Sequence, residues 1–92
     1  MHEKALYRDL RAKLIEVAEI ERARSVGRAV IWVGALSHVT EPALRAAWPE
    51  IVRGRRAEGA ALDVAISCDP TDPRAQGVIL QSIVVPGEEA AP

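Results

Sequence analysis

The first quarter of the chain repeats apolar and charged positions with the spacing of an amphipathic helix. Between residues 3 and 26, apolar side chains recur at steps of three and four, and charged side chains fill the opposite face. The apolar positions are Leu6, Leu10, Leu14, Val17 and Ala18. Glu3 in the first turn and Arg22 and Arg24 in the last suit the helix dipole, and Gly27 supplies a stop. The pattern predicts one long helix.

The next segment, RAVIWVGAL at residues 28–36, is rich in β-forming residues and bounded by glycine, which predicts a strand. One face carries Ala29, Ile31 and Val33. The other carries Val30 and Trp32. This second face is more apolar than a solvated face of a sheet should be.

A second helix is predicted after Thr40, which is a good N-cap, with Glu41 and Pro42 in the first turn. Its inward positions are Leu44, Ala47, Trp48 and Ile51. Pro49 removes one helical hydrogen bond and crowds the carbonyl of Arg45. We therefore expect a kink at this position, or two short helices.

The remaining segments predict a loop, two strands and a turn-rich connection. The loop covers 54–60. Arg53, just before it, and Arg55 and Arg56, within it, are expected to be solvated. Strands are expected over 62–67, with Leu62, Val64 and Ile66 on one face, and over 78–85. The connection CDPTDPRAQG fills 68–77. The order helix, strand, helix, strand, strand predicts an α/β fold, with two helices packed on a three-stranded sheet. We expect one domain over 1–86 and a frayed tail over 87–92.

Composition excludes several functional classes. The net charge of −1 has both signs interspersed, and there are two tryptophans, one tyrosine and no phenylalanine, so a nucleic-acid surface is not indicated. No apolar run approaches a membrane span, and no signal peptide is evident. A single cysteine excludes an internal disulfide and a cysteine-rich zinc site. We expect a soluble, cytoplasmic domain.

His2 offers metal-binding chemistry together with the chain terminus. The amine of Met1, the deprotonated amide of His2 and its imidazole can close two small chelate rings around one ion, and Glu3 adds another amide and a carboxylate. Nitrogen donors in one plane suit Ni(II) or Cu(II) better than Zn(II). The alternative is a second residue that only frays in solvent.

The other reactive side chains have simpler explanations. His38, in the connection before the second helix, is a surface residue, a hydrogen-bonded cap or a further metal ligand. Cys68 lacks a second cysteine and is expected to be a small buried side chain or a bystander. Asp69 and Asp72 suit side-chain bonding within a turn. No nucleophile, base and orienting group can be assembled, so an enzyme is the weakest hypothesis.

Several of these segments together resemble the HypA/HybF family of nickel metallochaperones for NiFe-hydrogenase maturation. They are the opening MHE before a helix, GALS at 34–37, EPAL at 41–44, AEGAALDV at 57–64 and LQSIVV at 80–85. The resemblance implies a mixed sheet, a nickel site at Met1, His2 and Glu3, and delivery to a hydrogenase large subunit or a maturation partner.

The chain also departs from that family. The family inserts a zinc ribbon with two CxxC pairs before its last strand, whereas here residues 68–77 hold one cysteine, so no zinc is expected. Pro49 is a second departure, since the family usually keeps this helix free of proline.

The apolar second face of the sheet has a use under this resemblance. Val30, Trp32, Ile79 and Val84 could form a contact surface for a second copy or for a hydrogenase-related protein. The competing hypothesis is that loops cover this face. Two functions remain open at this stage: a nickel-binding accessory protein, and an interaction or assembly adaptor that kept the fold without the metal.

Overall fold

The computed structural model describes the backbone of residues 2–85 and the side chains of residues 4–85. The elements follow the order α1, β1, α2, β2, β3, as the sequence predicts. The expected boundary at residue 86 and the expected tail lie outside this part of the chain. Neither of the two described helices is long and apolar enough to cross a membrane.

The first helix, α1, spans His2–Ile20 and ends earlier than the predicted end at residue 26. Arg22 adopts the left-handed conformation, with φ at +56°. Its N–H donates to the carbonyl of Glu19 at 3.1 Å, and the N–H of Ala23 donates to the carbonyl of Ala18 at 2.9 Å. These two bonds form a Schellman motif, with arginine at the position that glycine usually holds. The two arginines expected in the last turn therefore lie beyond the helix.

The second helix, α2, spans Glu41–Val52 as one helix, so of the two expected outcomes, a kink or two short helices, the second is wrong. Thr40 is the N-cap, and its hydroxyl accepts a 3.2 Å hydrogen bond from the N–H of Ala43. Pro49 lies at an exposed position. The buried indole of Trp48 donates a 2.9 Å hydrogen bond to the carbonyl of Ala60, which fixes this part of the helix from the other side.

The sheet has the strand order β2-β1-β3, in which β1 is Arg28–Val33, β2 is Ala61–Ile66 and β3 is Val78–Val84. β1 pairs parallel with β2 and antiparallel with β3, so the sheet is mixed. A bulge interrupts the antiparallel pairing between Val30 and Ile31. The first strand is shorter than predicted because residues 34–36 turn away into the loop before α2.

The core lies between one face of this sheet and the two helices. The alternation predicted for β1 is confirmed, because Ala29, Ile31 and Val33 are buried. α1 packs over β3, α2 packs over β2, and the helices also contact each other. The buried helix positions are Leu10, Leu14, Ala18, Leu44, Trp48, Ile51 and Val52. Burial of this apolar surface is the main contribution to stability.

The loop after α2 exposes Arg53, Arg55 and Arg56, as expected. Arg53 forms an exposed ion pair with Glu50 at 2.7 Å. Arg56, in contrast, donates a 3.1 Å hydrogen bond to the carbonyl of Ala23, and its own carbonyl accepts one from Val26 at 2.9 Å. This arginine therefore fastens the end of α1 to the loop.

Candidate metal centre

The N-terminal end of α1 is the first part of the predicted nickel site. The helix begins at His2, so the positions of His2 and Glu3 belong to its first turn. The side chains of these two residues, and all of Met1, lie outside the described residues. The first four N–H groups of any α-helix have no acceptor within the helix. The amides of His2 and Glu3 are therefore not needed for the helical hydrogen bonds and are available to a metal.

A groove of about 200 Å³ lies beside the first turns of α1. Leu6 lines it from the helix, His38 lines it from the loop before α2, and Gln76 and Val78 line it from the start of β3 and the segment before it. The imidazole of His38 is exposed. The fold thus places His38, remote from the N-terminus in sequence, at the same end of the molecule as the first turns of α1.

The loop that carries His38 is held on both sides of this residue. The N–H of Ser37 donates to the carbonyl of Gly34 at 3.0 Å, and the Ser37 hydroxyl accepts a 3.1 Å hydrogen bond from the N–H of Val39. Val39 is buried in the core. A residue between two such anchors has a restricted backbone, so the position of His38 is defined.

The described part of the chain shows no cluster of metal-binding side chains. The residues with described side chains contain no group of three or more histidine, cysteine or acidic residues that could hold an ion. Cys68 is a free, exposed thiol, so of its two expected states the buried one is wrong. It follows β2 and, as expected, has no cysteine partner in this sequence.

The acidic residues of the β2–β3 connection serve the turn, as predicted. The hydroxyl of Thr71 donates to the carboxylate of Asp69 at 2.6 Å, and its N–H donates at 2.9 Å. These hydrogen bonds hold the pKa of Asp69 below its ordinary value of 3.8. The guanidinium and the N–H of Arg74 bond to Asp72 and lower the pKa of that carboxyl in the same way. Both carboxylates are thus committed to local structure.

The outer face of the sheet, turned away from the helices, carries the residues predicted as a partner surface. Trp32 lies opposite Ile79 in the register, Val30 lies opposite Ser82, and Val84 lies opposite Arg28. The four predicted residues, Val30, Trp32, Ile79 and Val84, are half-buried. The face is therefore neither fully open nor fully covered.

Two charged contacts flank this outer face. The guanidinium of Arg74 lies 4.7 Å from the centroid of the Trp32 ring, a cation–π contact. Arg28 forms a 3.0 Å ion pair with Asp63 across β1 and β2. The contact of Arg74 with Trp32 was not predicted from the sequence. No short-range pattern links a residue of the β2–β3 connection to a residue of β1.

Comparison with known families gives a match over most of the chain. The family described as hydrogenase/urease nickel incorporation metallochaperone, HypA, matches residues 1–69 of the 92-residue chain. The match includes α1, β1, α2 and β2 and ends within the connection that follows β2. No curated protein matches the chain. The members of this family are metallochaperones and not enzymes, and they act with maturation partners. Since the match covers three quarters of its length, the chain belongs to the HypA family of nickel-incorporation metallochaperones.

Proposed function

We propose that this protein holds Ni(II) at its N-terminus and passes it to a nickel enzyme. The ligands are the amine of Met1, the amide nitrogen and imidazole of His2, and a contribution from Glu3. The observation that carries this proposal is the family match, which begins at residue 1 and so includes all three residues. The start of α1 at His2 supports it, because the amides at a helix start are free of helical hydrogen bonds.

The donor set explains the choice of metal. An amine, an amide nitrogen and an imidazole joined by small chelate rings lie in one plane around the ion. Ni(II) and Cu(II) accept such a plane, whereas Zn(II) prefers a tetrahedron. All three donors must lose a proton or be neutral to bind, so nickel affinity rises with pH. Release to a recipient is then an exchange of ligands, and no covalent chemistry of the protein is required.

Zinc is not part of this proposal. The connection from 67 to 77 joins β2 directly to β3 and contains one cysteine, Cys68, whose thiol is exposed. A structural zinc site needs four ligands, usually with paired cysteines. The turn here is instead held by Asp69 and Asp72 with their hydrogen-bond partners.

The recipient is proposed to be the large subunit of a hydrogenase, reached directly or through a maturation partner in the cytoplasm. The family description names both hydrogenase and urease, so hydrogenase is the narrower claim. The outer sheet face around Trp32 and Ile79 is the proposed contact surface, for such a partner or for a second copy. Its half-buried apolar side chains support this role.

Nickel titration of untagged protein tests the proposal, since any residue in front of Met1 removes the amine from the site. Isothermal titration should give one site per chain, which disappears in His2→Ala and after acetylation of the terminal amine. Lys4→Gln, in the same helical turn, is the matched control and should bind normally. Binding that survives both changes would place the metal elsewhere. Absence of binding in the wild-type protein would favour the adaptor function instead.

A further inference from the structure

We propose that a groove between α1 and the loop after α2 binds an acidic segment of a partner protein, with one large apolar side chain of that segment as its anchor. The groove holds about 210 Å³. Its apolar lining comes from α1, from the approach to β1 and from the loop: Leu14, Ile15, Ala18, Val26 and Ala57. None of these residues belongs to a strand, so the groove is separate from the outer sheet face and from the nickel site.

The size of the groove favours one anchoring side chain over a small-molecule ligand. Pockets that enclose small molecules usually measure about 300 Å³ or more. Ile15 is 37% exposed although it is a large aliphatic residue, so the groove leaves apolar surface in water. A partner side chain seated here would remove that surface from water, as anchor residues do at the centres of protein interfaces.

Arginines border this apolar lining. Arg55 and Arg56 line the groove itself. Arg56 also lines an adjoining hollow, together with Arg22 and Arg24. All four arginines are exposed. The net charge of the whole chain is −1, so four guanidinium groups around one groove are a local excess of positive charge.

The neighbouring carboxylates do not neutralise these arginines. Among the described residues, Glu19 is the only acidic one that lines the groove or the adjoining hollow. The carboxylate of Glu58 accepts a 3.2 Å hydrogen bond from the N–H of Gly54. None of the four arginines forms an ion pair with a described side chain. Carboxylates of a partner fit this surface, because guanidinium groups bind carboxylates through two parallel hydrogen bonds.

The backbone conformation around two of these arginines also supports a binding role. Arg56 donates a 3.1 Å hydrogen bond to the carbonyl of Ala23, which holds its guanidinium beside the groove and leaves further N–H donors for a ligand. Arg22 has φ at +56°, a conformation that is more costly for arginine than for glycine. Strained surface residues are often found at functional sites. A contribution of the Arg22 guanidinium to binding explains why arginine stands at this position.

The depth of the apolar lining favours a protein segment over a lipid surface or a nucleic acid. Leu14, Ala18, Val26 and Ala57 are buried, so only a side chain that enters the groove reaches them. A flat bilayer or a phosphate backbone would meet the arginines and leave this lining uncovered. An acidic segment with an apolar residue satisfies both parts of the surface.

The experiment is NMR chemical-shift mapping of the full chain with a synthetic peptide that carries one phenylalanine between glutamates. Two control peptides replace the phenylalanine with serine, or the glutamates with lysines. The acidic phenylalanine peptide should shift the amides of Ile15, Ala18 and Ala57, and salt should weaken its binding by screening the charges. Each control peptide should bind about tenfold more weakly, since it lacks the apolar anchor or the complementary charge.

Variants assign the binding to the groove, and circular dichroism checks that each is folded. Arg55→Glu should lower the affinity about tenfold. Arg8→Glu makes the same change of charge at an exposed position of α1 that lines neither the groove nor the adjoining hollow, so it is the matched control and should bind normally. Arg22→Gly should weaken binding while it stabilises the fold, a combination that a purely structural arginine would not give.

The proposal is overturned if the acidic peptide shifts no amide of the groove at millimolar concentration. It is also overturned if the lysine peptide binds equally well, or if Arg55→Glu binds like the wild type. Equal shifts with inorganic phosphate alone would reveal an anion site without an apolar anchor. Tighter binding of a single-stranded oligonucleotide or of phosphatidylserine vesicles would replace the acidic segment by another class of partner.

Discussion

Gly34 and Ala75 lie in direct backbone contact, because a Cβ atom on Gly34 would overlap the carbonyl oxygen of Ala75. Gly34 follows β1, and Ala75 belongs to the connection between β2 and β3. The same carbonyl accepts a 2.7 Å hydrogen bond from the N–H of Leu36. The backbone of the β2–β3 connection is thereby held against the backbone of the loop that carries His38.

Gly34→Ala should destabilise the protein by about 3 kcal/mol, because the added methyl group meets backbone that cannot rotate away. Gly54→Ala is the control: Gly54 has φ at +70° and no atom within 4 Å of a built Cβ, so only the strained backbone costs about 1 kcal/mol. Urea unfolding followed by circular dichroism measures both. Equal losses in the two variants would contradict the close contact.

Arg22→Gly should stabilise the protein by about 0.5–1 kcal/mol. Arginine at φ +56° is strained, and relief of this strain outweighs the greater freedom of glycine in the unfolded chain. Arg24→Gly, two residues further on, is the matched control. Arg22 is the only non-glycine residue with positive φ among the described residues, so Arg24→Gly should destabilise by a similar amount. Thermal unfolding of the two variants should shift in opposite directions.

Trp48→Phe should cost about 2 kcal/mol, since it leaves the carbonyl of Ala60 without its indole donor and leaves space in the core. Trp32→Phe should cost less than about 1 kcal/mol, because this ring is half-buried and loses mainly part of its contact with Arg74. Each variant retains one tryptophan, so fluorescence follows unfolding in both. The reverse order of the two losses would contradict the assigned positions.

Acidification should loosen the β2–β3 connection. The pKa values of Asp69 and Asp72 are lowered in the folded protein, so their contribution to stability is present above their ordinary value of 3.8. It is lost as the pH falls below 3.8 and through the folded pKa values. Hydrogen exchange of the Thr71 and Arg74 amides should accelerate over this range relative to amides of β1. Asp69→Asn and Asp72→Asn should weaken the pH dependence, and an unchanged profile would argue against these hydrogen bonds.

Trp32→Asp should abolish any association through the outer sheet face, because a charge would have to be buried among apolar side chains. Analytical ultracentrifugation at high protein concentration measures this association. Ile20→Asp is the matched control, since Ile20 is 69% exposed and lies at the end of α1, away from that face. A wild-type protein that stays monomeric at all concentrations, unchanged by Trp32→Asp, would count against pairing of two copies. The same variants can then be tested for binding to a hydrogenase large subunit.

Local sequence signals were sufficient for elements whose cause is local. The apolar repeat of α1, the alternation of β1 and the cap at Thr40 each depend on residues a few positions apart, and the structure confirms them. Signals failed at two helix positions. α1 ends at Ile20 because the left-handed Arg22 closes it, although arginine is not a usual stop residue, and α2 continues through Pro49 as one helix.

The candidate site also has one part that the sequence predicts and one part that only the structure shows. The proposed donor set at Met1, His2 and Glu3 can be read from the sequence, because it would use consecutive residues. The position of His38 in the same groove as Leu6 could not be predicted from the sequence. It depends on how the loop before α2 packs against α1.

The sequence by itself determined the order and type of the elements, the resemblance to the family and the proposed terminal donor set, because these depend on residues close together along the chain. Tertiary structure alone decided the strand order β2-β1-β3, the cover that Arg74 gives Trp32, and the place of His38 beside α1. The physical reason is that these relations join residues far apart in sequence. Packing and long-range hydrogen bonds determine such contacts, and the short-range periodicity of the sequence does not indicate them.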